Sequence, residues 1–447
     1  MTVEVTFLHA ADLHLGSPLK SVGDKSQDLR RKLEEAGYTA LERLTDAAIR
    51  QNVDFVVFSG DIYDQEVRSV TANQLFIHHM KRFERAGIPV YLIYGNHDPL
   101  DAGSEYFSFP ENVRVFPSDS VHLEEVMGRE GKVIARVLGQ SYRNRSENRK
   151  MYDGYNPPDR DVVNIGLLHT GLNPSTNKYV PCSMADLKTK EAIHYWALGH
   201  VHRRSIMSRK PPAAAFPGFI QGRDPGETGC GGCLLVQLRP GTEPSIKLVP
   251  TSPVIWINRQ VEIRQDDESI DDIRERLLEE ARHILDSNPA ESLEVDLADG
   301  EAIQVDGFIV RWELTGKGRV HRDVISKDEE GTRDYLTDEL RGELGSAYPF
   351  VWTESVHFST APPLPQLETI PEEDEVLQHL DRVYRAIKNG EAREDILQAM
   401  GDIWYEQKDH EETRDYQFPV TDDAYARVVE KAYRLAVERI VEGRDQA

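Results

Sequence analysis

Five short runs within the first 202 residues concentrate Asp, His and Asn. They are DLHLG (Asp12–Gly16), GDIYD (Gly60–Asp64), GNHDP (Gly95–Pro99), LHTG (Leu168–Gly171) and GHVH (Gly199–His202). Such side chains hold hard-to-borderline divalent ions in mixed oxygen and nitrogen shells. With no thiolate among them, Mn²⁺, Mg²⁺ or Fe²⁺ suits the set better than a structural zinc. Asp12 and His14 alternate along an extended segment and so point the same way, as do His200 and His202. A carboxylate such as Asp61 can bridge two ions, which then sit about 3.5–4 Å apart and clamp an in-line displacement at phosphorus. No Ser or Cys stands as a nucleophile in these runs, so the expected attacker is water activated by the ions. His97, between the candidate ligand Asn96 and Asp98, is the expected proton donor to the leaving oxygen, with Asp98 orienting its ring. A lone Asp-x-His is more often a turn than a ligand set, and His78, His79, His194 and His321 are read as ordinary histidines. Five runs in one order are much harder to dismiss.

The elements that must position these runs are legible around them. Val3–Ala10, VDFVVFSGD and VYLIYGNHD read as buried strands, each ending at a polar run. A helix from about Leu29 to Gln51, with Leu33, Leu41, Leu44 and Ala48 at helical spacing, separates the first two. A second helix, about Thr71 to Ala86, stops at Gly87 and Pro89. This is βαβαβ with continuous apolar strands, hence a parallel sheet covered on both faces. Ligands of such sheets sit outside the carboxyl ends of the strands. VVNIGLLHT and HYWALGHVH repeat the arrangement, so five strand ends can converge on one site.

From Ala213 to Pro250 the segments AAAFPG, CLLVQL and SIKLVP suggest an antiparallel continuation. Residues 252–360 read as a separate small α/β domain after a first domain of residues 1–251. Its strands are VIWINRQVEI, FIVRWELTG and FVWTESVHF, and its helices SIDDIRERLLEEARHIL and TRDYLTDELRGEL. An acidic, Pro-rich linker spans residues 361–375. In the helical region 376–447, Val376, Leu380, Val383 and Ile387 form one stripe. Tyr425, Val428, Ala432, Leu435, Ala436 and Ile440 form another, after Thr421 as N-cap.

Composition bounds the classes. The 447 residues imply more than one core, and no apolar run approaches the ~20 residues of a membrane span. The N-terminus lacks a basic n-region and leads straight into a strand, so no cleaved signal is expected. Three cysteines exclude a disulfide framework and point to a reducing, cytoplasmic setting. The lone Cys230-x-x-Cys233 reads as a Gly-rich turn into a strand rather than a zinc or redox motif. A net charge of −24 argues against a passive nucleic-acid coat, but bound ions and local basic clusters can reverse the sign where it matters. Arg143, Arg145, Arg149 and Lys150, with Arg203, Arg204, Arg209 and Lys210, form two such clusters. Among them Arg143, Arg145, Arg149 and Arg203 are candidate DNA contacts.

The five runs together resemble the signature blocks of the calcineurin-like metallophosphoesterases, over about Val3 to Pro250. The resemblance implies a two-sheet α/β sandwich flanked by helices. It implies one metal on Asp12, His14, Asp61 and His202, and a second on Asp61, Asn96, His169 and His200. Protein phosphatases of this kind carry an Arg after the second block and a Glu after Asn-His, where this chain has GDIYDQE and GNHDP. DLHLGSPL, SGDIYD, IYGNHDP and FPGFIQGRDPGETGCGGCLLVQL instead resemble the SbcD-type DNA repair exonucleases, in the YhaO-like branch related to the Mre-eleven nuclease. That family implies Mn²⁺-dependent exonucleolytic, and in some members endonucleolytic, hydrolysis of DNA. It also implies a DNA-capping role for residues 252–360, a homodimer, and an SbcC-like coiled-coil ABC-type ATPase partner, for which the C-terminal helices are the place to look. The alternatives are a phosphodiesterase of small diesters, sharing the same metal site, and a binding scaffold without catalysis.

Overall fold

The structure, a computed structural model, describes residues 4–17, 27–64, 69–102, 107–176, 178–287, 296–361, 374–391, 393, 396 and 422–445. Most of the expected linker, and Thr421, lie outside these residues. The chain divides into two compact units, Met1–Arg259 with Leu277–Trp312 and Leu336–Val356, and Gln260–Arg276 with Glu313–Tyr335 and His357–Ala447.

Two six-stranded sheets build most of the first unit. One runs, in spatial order, β12 (Ser245–Pro250), β11 (Gly232–Leu238), β1 (Val5–Ala10), β2 (Phe55–Ser59), β3 (Val90–Ile93) and β4 (Val113–Val115). The other runs β5 (His122–Met127), β6 (Val133–Gly139), β7 (Val163–His169), β8 (Tyr195–Gly199), β10 (Ala213–Phe216) and β9 (Ser205–Ser208). Strands β1 to β4 pair in parallel, and β11 and β12 continue antiparallel as expected. The segment Ala213–Phe216 does not join them. It pairs in parallel with β8 in the other sheet, Ala214 opposite Trp196, because its four fully buried residues fit a strand covered on both faces.

Strand alternation decides where each side chain goes. Phe55 and Val57 of β2 face a core shared with Ile165 and Leu167 of β7 and Tyr195 and Ala197 of β8, so this core lies between the sheets. Their neighbours Val56 and Phe58 face the opposite way, onto Leu41 and Leu44 of α1 (Gln27–Arg50) and Phe76 and Phe83 of α2 (Val70–Arg85). Trp196 and Leu198 do the same on the outer face of the second sheet, with Tyr142 and Tyr155. The result is a two-sheet sandwich flanked by helices. Helix α2 begins where Ser69 Oγ accepts the Ala72 N–H at 3.0 Å, and ends at Arg85, two residues before Gly87, whose φ of 70° only glycine adopts freely. One polar tie crosses the interior. The fully buried His9 ring lies 3.0 Å from Tyr195 Oη and 3.1 Å from the Leu198 carbonyl. Burial pushes its pKa down to about 3, so the ring is neutral.

The remaining elements are the short α3 (Met184–Lys188), α4 (Ile270–Ser287), α5 (Glu329–Leu344), and a three-stranded sheet of β13 (Val254–Ile263), β14 (Gly307–Lys317) and β15 (Phe350–Ala361). In the second unit α6 (Glu375–Lys388) packs on α7 (Asp422–Asp445). Of the expected stripes, Leu380 and Ile440 do pack, but beside residues outside those stripes. Leu377, Leu380 and Tyr384 meet Tyr433, Val437 and Ile440, whereas Val376, Val383, Val428 and Leu435 are exposed. The Tyr384 and Tyr433 rings stack with centroids 4.1 Å apart, and these larger surfaces set the helix faces that meet.

The inter-sheet core makes a direct prediction. Phe55 stacks on Phe7 at 5.0 Å and meets Tyr91 edge-on at 5.9 Å. Phe55→Ala is expected to lower stability by about 3–5 kcal/mol, read from urea unfolding, because the sandwich cannot close over the lost ring.

Candidate metal centre

Each polar run lies at or just beyond the end of its strand. Beyond β1, the Asp12 N–H donates to the Gly60 carbonyl at 3.1 Å and the His14 N–H to the Asp61 carbonyl at 3.0 Å. The first two runs are therefore held in register like strands while their backbones leave strand geometry. Asp12, His14, Asp61 and His200 all have positive φ, at 53°, 45°, 54° and 98°. Non-glycine residues there cost about 1–3 kcal/mol each and persist only where the surroundings over-determine them. Close approach does the rest. A Cβ on Gly199 would collide with the Ser59 carbonyl, and one on Gly95 with Asp61 Oδ1.

All seven residues expected as ligands converge. Asp61, 1% exposed, takes the His97 N–H on Oδ1 at 2.9 Å. Its Oδ2 lies 3.3 Å from His169 Nε2 and 3.8 Å from His14 Nε2, between the two halves of the cluster. On one side, Asp12, His14 and His202 offer ligand atoms within 4.8 Å of one another, with His14 Nε2 and His202 Nε2 3.2 Å apart. The Asp12 carboxylate accepts the His200 N–H at 3.1 Å. On the other side, Asp61, His169 and His200 do the same. Asn96 Oδ1 lies 3.0 Å from both His169 Nε2 and His200 Nδ1. The His169 Nδ1–H donates to the Ser59 carbonyl at 2.9 Å, which leaves Nε2 facing the cluster.

The electrostatics ask for cations. Burial pushes Asp61 up, but His169, His14 and His97 outweigh it and hold the carboxyl far below the usual range. Burial likewise pushes His169 down, yet the Asp61 carboxylate carries it up to about 9. His14 and His200 go the other way, His14 through burial and the Arg223 charge, and His200 to about 3 through burial and His169. A set of carboxylate, amide and imidazole acceptors whose atoms crowd to 3.0–3.3 Å is neutralised only by protons or metal ions. The residues present fit two divalent ions sharing Asp61.

Residues 5–204 match the family model of the calcineurin-like phosphoesterases. This stretch is a calcineurin-like phosphoesterase domain. The Bacillus subtilis protein described as uncharacterized metallophosphoesterase YhaO is 36% identical over 270 residues, covering 59% of this chain and 65% of its own length. The DNA double-strand break repair protein Mre11 of Archaeoglobus fulgidus is 23% identical over 236 residues, 49% of this chain and 50% of that protein. Its namesake from Methanocaldococcus jannaschii is 25% identical over 226 residues, 48% and 56% respectively. The chain thus spans less than two thirds of each of these relatives.

Around the phosphoesterase domain's cluster, the remaining expectations divide. His97 stands at the edge of the site, its ring centroid 4.8 Å from that of His14 and its side chain 44% exposed. Asp98 does not orient it. The Asp98 carboxylate accepts the N–H groups of Ile62, Tyr63 and Gly95 at 2.6, 3.2 and 2.8 Å, tying the GNHDP run to the GDIYD run. The carboxylate facing the His97 ring is Asp64, 3.6 Å from Nδ1, and this contact raises the His97 pKa. The signal for Asp64 lay inside GDIYD, three residues after Asp61, but spacing alone does not say which acid a ring will meet. Glu227 and Arg223, beside His202, were missed in the same way.

Among the basic candidates, Arg143, Arg145 and Arg203 are exposed. Arg149 is instead half-buried and paired with Glu147 at 2.8 Å and the Ser118 carbonyl at 2.9 Å. Cys230 and Cys233 are free thiols. Burial pushes Cys230 up to about 12 and raises Cys233 likewise, which favours the protonated thiol at both. Among the described residues no helix is long and apolar enough to cross a membrane.

Adding Mn²⁺ to metal-free protein at about 100 times Kd is expected to stabilise it by about 2.7 kcal/mol per saturated site. Differential scanning calorimetry is the measurement, and Asp61→Asn should lose most of the gain.

Proposed function

We propose that the chain is a dinuclear-metal-dependent DNA nuclease that hydrolyses phosphodiesters, exonucleolytically and in some contexts endonucleolytically, in double-strand-break repair. The observation that carries this reading is the convergence of seven ligand side chains beside an exposed, carboxylate-paired His97. The similarity to proteins described as Mre11 supports the substrate class. Two divalent ions on this donor set, Mn²⁺ by preference, would polarise the phosphoryl oxygens and lower the pKa of a water nucleophile.

The chain's own residues do the rest. Asp61 holds the two halves of the centre at one spacing. His97, on the open side, donates a proton to the leaving oxygen, and Asp64 keeps the ring oriented and protonated. The exposed Arg143, Arg145 and Arg203 offset locally the −24 charge of the chain and track phosphates. Residues 252–360 serve as the capping domain over DNA, and the protein works as a cytoplasmic homodimer. The exposed Val376, Val383, Val428 and Leu435 give α6 and α7 apolar surface for an SbcC-like ATPase partner. A second reading, hydrolysis of small diesters, would use the same metal ligands, and the relative at 36% identity, described as an uncharacterized metallophosphoesterase, is compatible with either substrate.

End-labelled linear duplex DNA with Mn²⁺ separates the two. Progressive shortening by wild type, reduced about 10²–10⁴-fold in His97→Ala, is the expected outcome. Intact DNA alongside turnover of bis(p-nitrophenyl) phosphate would transfer the assignment to small diesters. The pH profile tests Asp64. Because Asp64 raises the His97 pKa and the protonated ring is the active form, rate falls as pH rises through that pKa. Asp64→Asn should therefore move the alkaline limb of kcat/KM to lower pH, and an unmoved limb would discard the pair.

A further inference from the structure

The segment between β10 and β11 carries a buried acid that the hydrolytic chemistry does not use. Glu227 is 7% exposed, and a carboxylate so enclosed needs partners for its charge. It has three. Oε1 lies 2.6 Å from His202 Nδ1 and accepts from Arg223 Nη2 at 3.2 Å. Oε2 accepts the Arg223 backbone N–H at 2.7 Å. The turn beneath is tight, with the Glu227 N–H on the Asp224 carbonyl at 3.0 Å and the Gly226 N–H on Asp224 Oδ1 at 2.7 Å. These contacts hold the Glu227 carboxylate against the His202 ring.

The consequence lies on the far side of that ring. An imidazole that donates Nδ1–H to a carboxylate presents a lone pair at Nε2. His202 Nε2 is the atom that faces His14 Nε2 within the group Asp12, His14 and His202. We propose that Glu227, locked by Arg223, is the positioning residue that sets the tautomer and angle of His202 as a metal ligand. Arg223 is suited to this because its guanidinium is a rigid fork. One arm meets Glu227, and Nη1 donates to Ser17 Oγ at 3.2 Å, whose hydroxyl donates to Asp64 at 3.1 Å. The brace thus runs from the ligand His202 to the acid that faces His97. It deepens the two-metal reading and rests on it. Its analogue in other metal centres, a carboxylate behind a ligating histidine, is worth about 10–100-fold in metal affinity.

The test uses the full-length protein stripped of metal by chelation and titrated with Mn²⁺ in a calorimeter. Wild type is expected to bind two ions. Glu227→Gln, which keeps the shape and removes the charge, should weaken one site about 10–100-fold and leave the other unchanged. Imidazole ¹⁵N shifts of the metal-free protein, recorded at alkaline pH where the ring is neutral, should show His202 protonated at Nδ1 in wild type. In Glu227→Gln the two tautomers should mix. Should Glu227→Gln fail to fold by circular dichroism, Arg223→Lys leaves the acid in place but cannot span both partners, and the same site should weaken several-fold. Two unaltered Mn²⁺ affinities in a folded variant would overturn the proposal, as would an unmoved tautomer. A wild type that takes up no Mn²⁺ would instead defeat the two-metal reading, while the tautomer measurement would still decide the role of Glu227.

Discussion

The centre depends on one buried carboxylate. Asp61 is removed from water, keeps its charge, and places one oxygen between His169 and His14. Charge in such a place must be compensated, and every neighbouring choice follows from that demand. The glycines at positions 95 and 199 leave room for side chains to crowd around it. Asp98 ties the two loops that shape its surroundings through three backbone amides. His97 presents its backbone N–H to Asp61 and its ring to the open side.

Neither sheet carries a complete site. Asp12 and His14 follow β1 and Asp61 follows β2 in one sheet, whereas His169 ends β7 and His200 and His202 follow β8 in the other. Both metal groups draw on both sheets, so the core between the sheets sets the distance between ligands. This is also why four ligand residues can hold left-handed backbone conformations. The strain is local, while the packing that resists its release extends over the whole interior, including the stacked Phe7 and Phe55 rings and the neutral His9 tie.

Much of the arrangement was legible beforehand, for physical reasons. Apolar runs ending abruptly in Asp, His or Asn mark strand ends, and strand ends of parallel sheets share a side. That logic brought all seven ligand candidates together. It failed where a choice depended on rotation about an axis. The stripe Val376, Leu380, Val383 and Ile387 is as good a helical pattern as Leu377, Leu380 and Tyr384, and the facing Tyr433 distinguishes them. Ala213–Phe216 could pair with either sheet until β8 was in place beside it.

By itself, then, the sequence determined the chemistry available here: the donor types, their placement at strand ends, and a histidine next to the ligand Asn96. These follow from residue identity and from the period of the apolar pattern, both of which are local. Only the tertiary structure decided that Asp64 rather than Asp98 faces His97, that Arg149 is held by Glu147, and that Glu227 stands behind His202. Each of those pairings depends on where a side chain points once a loop has left strand geometry. That direction is set by backbone dihedrals and by neighbours far along the chain, which residue spacing does not encode.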